Sequence, residues 1–235
     1  MIANHAGHMR RDGGVRRAAR LPPRAGDAPM NLYQRGGKRL FDVCVAVLLL
    51  LVSLPVVAVV ALVVRLKLGR PVLFRQTRPG RNGHPFQIVK FRTMTDATDQ
   101  QGRLLPDADR LTRFGAFLRS TSVDEIPELL NVIRGDMSLV GPRPLRVAYL
   151  ERYSVEQARR HEVRSGITGW AQVNGRNNAP WADRLAMDVW YVDNYNLVLD
   201  IRILCRTVVA VAKRADVSER GHVTAQEFLG SEPRA

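Results

Sequence analysis

A chain of 235 residues is long enough to bury one ordinary core plus extra segments, and the absence of any internal repeat excludes a solenoid. Its 36 Lys and Arg against 22 Asp and Glu give a net charge of +14, which calls for an anionic partner. Residues 1–39 hold nine Arg or Lys and two Asp directly ahead of a long apolar run, so anionic membrane lipid fits better than nucleic acid; no Cys/His finger, RNA-binding signature or helix-turn-helix is found.

In chain order, residues 1–34 are rich in Arg, Ala, Gly and Pro and are expected to be a disordered basic segment, with Met30 an alternative start. Val43 to Val64 then gives 22 residues without a charge. That is about 33 Å of helix, enough to cross a bilayer. Pro55 interrupts the run, and Ser53 can offer its hydroxyl to a backbone group near the break. Arg35, Lys38 and Arg39 precede the run and Arg65, Lys67 and Arg70 follow it, so the positive-inside rule sets no direction. A single span with a tolerated proline and a hairpin returning to the cytoplasm both remain open. Asp42 either pairs with a base at the interface or is solvated. Cys44 and Cys205 are expected to be small buried hydrophobes in a reducing compartment.

Beyond the run, Val72–Gln76 and Phe86–Phe91 read as short strands around a Gly, Pro and Asn turn. Arg75, Arg78, Arg81, Lys90 and Arg92 crowd this region, as a solvated basic face or as contacts to phosphate or lipid headgroups. Ile126, Leu129, Leu130 and Ile133 recur at helical spacing, predicting a helix over 124–133 that Gly135 ends. Ser122 with Glu125 fits a capping box, and Asp124 as the cap fits nearly as well. Either register puts Asp124 and Glu125 at the positive end of the helix dipole and favours both as ions. Adjacent carboxylates can attack phosphorus and hold a divalent cation, although acids in a first turn are also common stability devices.

Arg143 stands between Pro142 and Pro144, which stiffen its loop for a phosphate or simply for a turn. Arg164 to Arg176 reads as a loop in which Trp170 and Arg176 are candidates to stack on or bind a nucleotide. Trp181 to Tyr195 reads as a helix with Leu185, Val189 and Val192 on one face. Asp188, beside that face, is a salt-bridge partner or a catalytic group. Leu199 to Arg214 reads as a basic amphipathic helix suited to a membrane interface or to packing in a soluble domain.

At this point the motifs KRLFD (38–42), GRPVLFRQTRPGRNGHPFQIVKFRTM (69–94), RSTSVDEIPELLNVIRGDMSLVGPRP (119–144), SGITGWAQVNGR (165–176) and DVWYVDNYNLVLDIRIL (188–204) are specific enough to carry a family. They closely resemble the bacterial sugar transferases, the monotopic phosphoglycosyl transferases that begin exopolysaccharide, O-antigen or glycoprotein glycan assembly. The resemblance implies a mixed, mainly helical α/β monotopic membrane protein. Its parts would be a re-entrant helix-break-helix over 35–70, a cytoplasmic catalytic domain over 71–214 with short strands and interfacial amphipathic helices, and a tail over 215–235. It implies transfer of a phosphosugar from a UDP-sugar to undecaprenyl phosphate at the cytoplasmic face of the bacterial inner membrane. Asp124 would be the nucleophile, Glu125 the residue associated with Mg²⁺, and Arg143 a phosphate contact. Arg78, Lys90, Arg92 and Arg176 are further phosphate candidates, and Ser53 and Pro55 mark the membrane break. A metal-dependent nucleotide-sugar hydrolase and a non-enzymatic adaptor are the alternatives; the sugar, the pathway and dimerisation stay open.

Overall fold

The computed structural model describes residues 31–174, 179–213 and 227–230. The basic segment before residue 31, most of the expected tail, and Arg176 lie outside the described residues.

The apolar run folds as α1, Lys38–Lys67, a single helix that continues through Pro55. The helix-break-helix expected over 35–70 is therefore corrected: there is one helix, not a pair. Pro55 removes only the hydrogen bond that Leu51's carbonyl would accept, and Ser53 Oγ donates to the neighbouring Leu50 carbonyl at 3.0 Å. Two stretches of α1 pack on the rest of the protein. Phe41, Val45, Ala46 and Leu50 join a core with Ile88, Leu129, Val132, Leu139 and Ile203. Val57, Val60, Ala61 and Val64 join Phe91, Phe114 and Leu118. Between them Leu48, Leu51, Val52, Leu54 and Val56 are exposed, an apolar surface that water would not tolerate on this scale. This helix is long and apolar enough to enter a membrane.

The start of α1 is fastened by polar groups. Arg39 donates to the carbonyls of Val132 and Ile133, closing the end of a later helix. Asp42 is buried; it accepts from Ser138 Oγ at 2.7 Å and Leu139 N at 3.2 Å, and Lys38 lies 3.7 Å away. Lys38 also reaches Asp200 at 2.6 Å, which accepts from Tyr33 and Tyr191 as well.

The strands β1 (Leu73–Pro79) and β2 (Pro85–Phe91) form an antiparallel hairpin, in keeping with two short extended pieces around a turn of Gly, Pro and Asn. Two short helices, α2 (Asp107–Arg110) and α3 (Arg113–Ser120), lead to a 3₁₀ turn at Val123–Glu125 and then to α4 (Glu128–Arg134). Gly135, at φ 100°, ends α4 in the left-handed conformation that glycine tolerates, as expected. Asn131, fully buried on α4, grips β2 by accepting from Val89 N at 3.1 Å and donating to Gln87 O at 2.7 Å. That grip sets Lys90 beside the acids that begin α4.

β3 (Ser138–Val140) pairs in parallel with β4 (Gly166–Thr168), separated in sequence by a 3₁₀ segment at Val147–Arg152 and by α5 (Val155–Ala158). The stretch read as a loop from Arg164 thus holds β4 and then α6 (Trp170–Asn174). Its Gly166 permits close strand contact: a Cβ there would stand 2.1 Å from the Gly141 amide nitrogen. Next come α7 (Trp181–Asn194), burying Leu185, Val189 and Val192 as predicted, and α8 (Leu197–Ala212). α8 packs through Leu199, Asp200 and Ile203, while Ile201, Val208 and Val209 stay exposed. Cys44 and Cys205 are also exposed, contrary to expectation, because the faces of α1 and α8 that carry them meet no partner among the described residues. At the C-terminal end, Phe228 returns to the domain and is buried among Tyr149, Tyr153, Leu185 and Trp181.

Candidate active site

Asp124 and Glu125 lie on the 3₁₀ turn between α3 and α4, with Ser122 before them in the left-handed region at φ 55°. Neither capping arrangement forms. Ser122 makes no side-chain cap, and α4 begins only at Glu128 because Pro127 occupies its cap position. The acids consequently project from a tight turn ahead of the helix.

Three basic side chains converge on them. Lys90 Nζ from β2 lies 2.6 Å from Glu125 Oε1 and 2.8 Å from Glu128 Oε1. Arg143 donates through Nη2 to the same Glu125 oxygen. Arg119 on α3 is fixed by Nε to Thr93 Oγ1 at 3.0 Å, and its charge acts on Asp124. Burial works against Lys90's charge, but Glu125 and Glu128 outweigh it and raise its pKa.

The two dyad members therefore differ in proton affinity. Burial alone would raise Glu125, yet Arg143 and Lys90 hold it well below the usual carboxylate range. Asp124 is pushed upward, first by burial and then by the Glu125 charge, with Lys90, Arg119 and Arg143 opposing. The expectation that the helix dipole would favour ionisation of both acids is thus corrected: for Asp124, burial and its neighbour prevail. A carboxylate of raised pKa is the more basic and the better nucleophile when ionised. Glu128, fully buried, is raised to about 7, by burial first and then by Glu125, against the pull of Lys90 and Arg143.

Asp124, Glu125, Lys90, Arg119 and Arg143 line one cleft of about 1010 Å³, which also takes in Arg78, Arg146, Tyr149 and Trp181; Glu128 is not part of its lining. Arg78's pKa is lowered by burial and by repulsion from Arg143 and Arg146, so a bound anion would relieve crowded positive charge. Arg92 lines the cleft too, but its donors serve Met94 O, Arg70 O and Asp96, which gives it a structural job. Trp170 stacks on Trp190 at 4.8 Å and lies outside the cleft lining. Ser53 and Pro55 are likewise absent from it. Gln172 does line the cleft, and both polar atoms of its amide are buried without a hydrogen-bond partner among the described residues. Asp188 is a salt-bridge partner, held by Arg160 at 2.7 Å.

Sequence reading missed Glu128 and Arg119. Glu128 falls one helical turn beyond Asp124, so spacing alone places it on the same side. Arg119 carried no comparable signal, since only the fold of α3 against Thr93 brings it near.

A buried Asp124 next to Glu125, under a cluster of arginines, makes a cleft suited to an anionic ligand. Residues 33–214 match the bacterial sugar transferase family, to which the chain belongs. It is 54% identical over 194 residues to the uncharacterized sugar transferase EpsL of Bacillus subtilis, covering 83% of this chain and 96% of that one. It is 44% identical over 182 residues to the UDP-glucose:undecaprenyl-phosphate glucose-1-phosphate transferase of Caulobacter vibrioides, covering 73% and 68%. With the Escherichia coli transferase of the same name it shares 40% over 192 residues, 77% of this chain and 41% of that one. This homology supports a phosphoglycosyl transfer reaction in general terms.

Proposed function

We propose that the protein transfers a phosphosugar from a UDP-sugar to undecaprenyl phosphate through a covalent intermediate on Asp124. The observation that carries this is the division of roles within the dyad: Glu125 is spent on Lys90 and Arg143, while Asp124 is left as the basic carboxylate in the cleft. A carboxylate oxygen of Asp124 attacks the phosphorus bonded to the sugar, the bond from that phosphorus to the bridging oxygen breaks, and UMP departs with the electron pair. An oxygen of the polyprenyl phosphate then attacks the same phosphorus, releasing the Asp124 carboxylate and forming the sugar diphosphate lipid. Arg78, Arg143 and Arg146, which line the cleft, would offset the charge on the transferring phosphate in both steps.

Mg²⁺ fits this donor set only as a partner of the substrate. Among the described residues no group of three or more His, Cys, Asp or Glu could hold a metal. Mg²⁺ commonly takes one or two carboxylates together with phosphate oxygens and water, a role that the Oε2 of Glu125 suits, since Lys90 and Arg143 both take Oε1. When bound there it would supply further neutralisation of the diphosphate.

The same reading sets the enzyme on the cytoplasmic face of the inner membrane, with the unbroken α1 lying partly embedded alongside the domain rather than crossing away from it. Support comes from the packing of both stretches of α1 on one domain, which a helix crossing about 30 Å of hydrocarbon away from that domain would not achieve. Exposed Ile201, Val208 and Val209 on α8 would rest in the interface.

The test is isotope exchange in the absence of lipid. Labelled UMP with unlabelled UDP-sugar, from a panel of sugars, should return labelled UDP-sugar with the wild type and not with D124N. Full product with lipid but no exchange without it would replace the covalent intermediate by direct displacement. Release of sugar phosphate to water, indifferent to undecaprenyl phosphate, would point instead to a hydrolase.

A further inference from the structure

The loop that presents Arg143 has few ways to be held. Pro142 and Pro144 have no N–H to donate, so the loop is tied through its carbonyls and through the Gly141 amide. On one side Gly141 N donates to Thr168 O at 2.8 Å and Gly166 N to Pro142 O at 3.0 Å, both along the seam of β3 and β4. On the other, Arg143's own carbonyl accepts from Arg160 Nη2 at 2.7 Å. Arg160 is buried and seated on Asp188 of α7, through Nε at 3.0 Å and Nη2 at 2.7 Å, with Nη1 3.4 Å from Tyr153 Oη.

A buried ion pair is a weak stability device, because an apolar pair of similar volume often serves a core as well. The guanidinium fork does something that an apolar pair would not: it meets a carboxylate and a carbonyl at once, in fixed directions. We propose that Arg160, seated on Asp188, is a positioning residue that fixes the Pro142–Arg143–Pro144 loop and so sets where the Arg143 guanidinium stands. Its catalytic consequence rests on the phosphoglycosyl transfer reading; the tether itself does not.

Two variants of the full chain in nanodiscs test this. R160K keeps a charge opposite Asp188 but loses the fork, and R160M/D188L removes the tether without leaving a buried charge unpaired. In both, amide hydrogen exchange should rise at Arg143 and Leu145 while α7 keeps its protection. With the UDP-sugar that the wild type turns over, kcat/KM should fall about 10- to 100-fold. In an R143A background the same changes should lower it less than about 2-fold, since the loop no longer carries the side chain being aimed. Equal losses in both backgrounds, or unchanged exchange at the loop, would overturn the proposal and leave the pair a core element. If the wild type turns over no UDP-sugar, the functional reading fails, and the exchange data still decide the tether on their own.

Discussion

Replacing Glu128 by Gln should make the protein more stable in mild alkali and nearly neutral in effect in mild acid. Glu128 is 1% exposed, and burial raises its pKa from 4.5 to about 7 although Lys90 stands 2.8 Å away. A carboxyl whose folded pKa is raised contributes stability that is intact below the unfolded value and lost as pH rises through the folded one. The loss therefore develops from about pH 4.5 to about pH 7. Across that interval, at about 1.36 kcal/mol per unit, it approaches 3 kcal/mol by pH 8 and remains below about 1 kcal/mol at pH 5. Gln has the same shape and does not ionise. E128Q should thus melt roughly 5–10 °C above the wild type at pH 8, with the gap closing towards pH 5. Thermal melts in nanodiscs at the two pH values measure this directly. Parallel pH dependence of the two proteins would refute the reasoning, because Glu128 would then be ionised throughout at no cost.

R143K keeps the charge and loses the planar fork, so kcat/KM should fall about 10- to 150-fold. Its melting temperature should barely move, since the Arg143 side chain is 44% exposed; unchanged kinetics would remove Arg143 from the site. Attack requires ionised Asp124, whose pKa is raised by burial and by Glu125, so activity should rise with pH along an acid limb above the ordinary aspartate value. R119M removes an opposing charge and should move that limb further up, and a limb that stays put would separate Arg119 from Asp124. For the membrane arrangement, single cysteines at residues 35 and 70, in a chain lacking Cys44 and Cys205, should both resist an impermeant thiol reagent in spheroplasts and react after lysis. Labelling of just one before lysis would make α1 a crossing helix.

Wherever a period or a turn residue was sufficient, the fold was legible in the sequence. The β1–β2 hairpin, the end of α4 at Gly135 and the buried face of α7 all follow from local pattern. What failed depended on contacts distant in sequence. β4 is an extended segment because β3 lies beside it, and no local propensity announces a three-residue parallel pair. The dyad's electrostatics misled for the same reason: the dipole argument saw only the adjacent helix, whereas Lys90 and Arg143 arrive from 35 residues before and 18 after Glu125. Cys44 and Cys205 were assigned to the interior because apolar neighbours usually mean burial, an inference that fails where an apolar helix face is left uncovered by the described residues.

The polar clasp around Asp200 also dictates an order of assembly. α1 leaves the ribosome early, yet Tyr33 and Lys38 wait for an acceptor 167 and 162 residues further on. Until α8 has been made and has swung Asp200 into place, Tyr33 and Lys38 lack that acceptor and the core around Ile88, Leu129 and Ile203 is incomplete. Completion of the core is in this way coupled to α1, the helix apolar enough to enter a membrane. Away from a membrane, the exposed apolar side chains of α1 would have to stay shielded until Asp200 and Ile203 arrive.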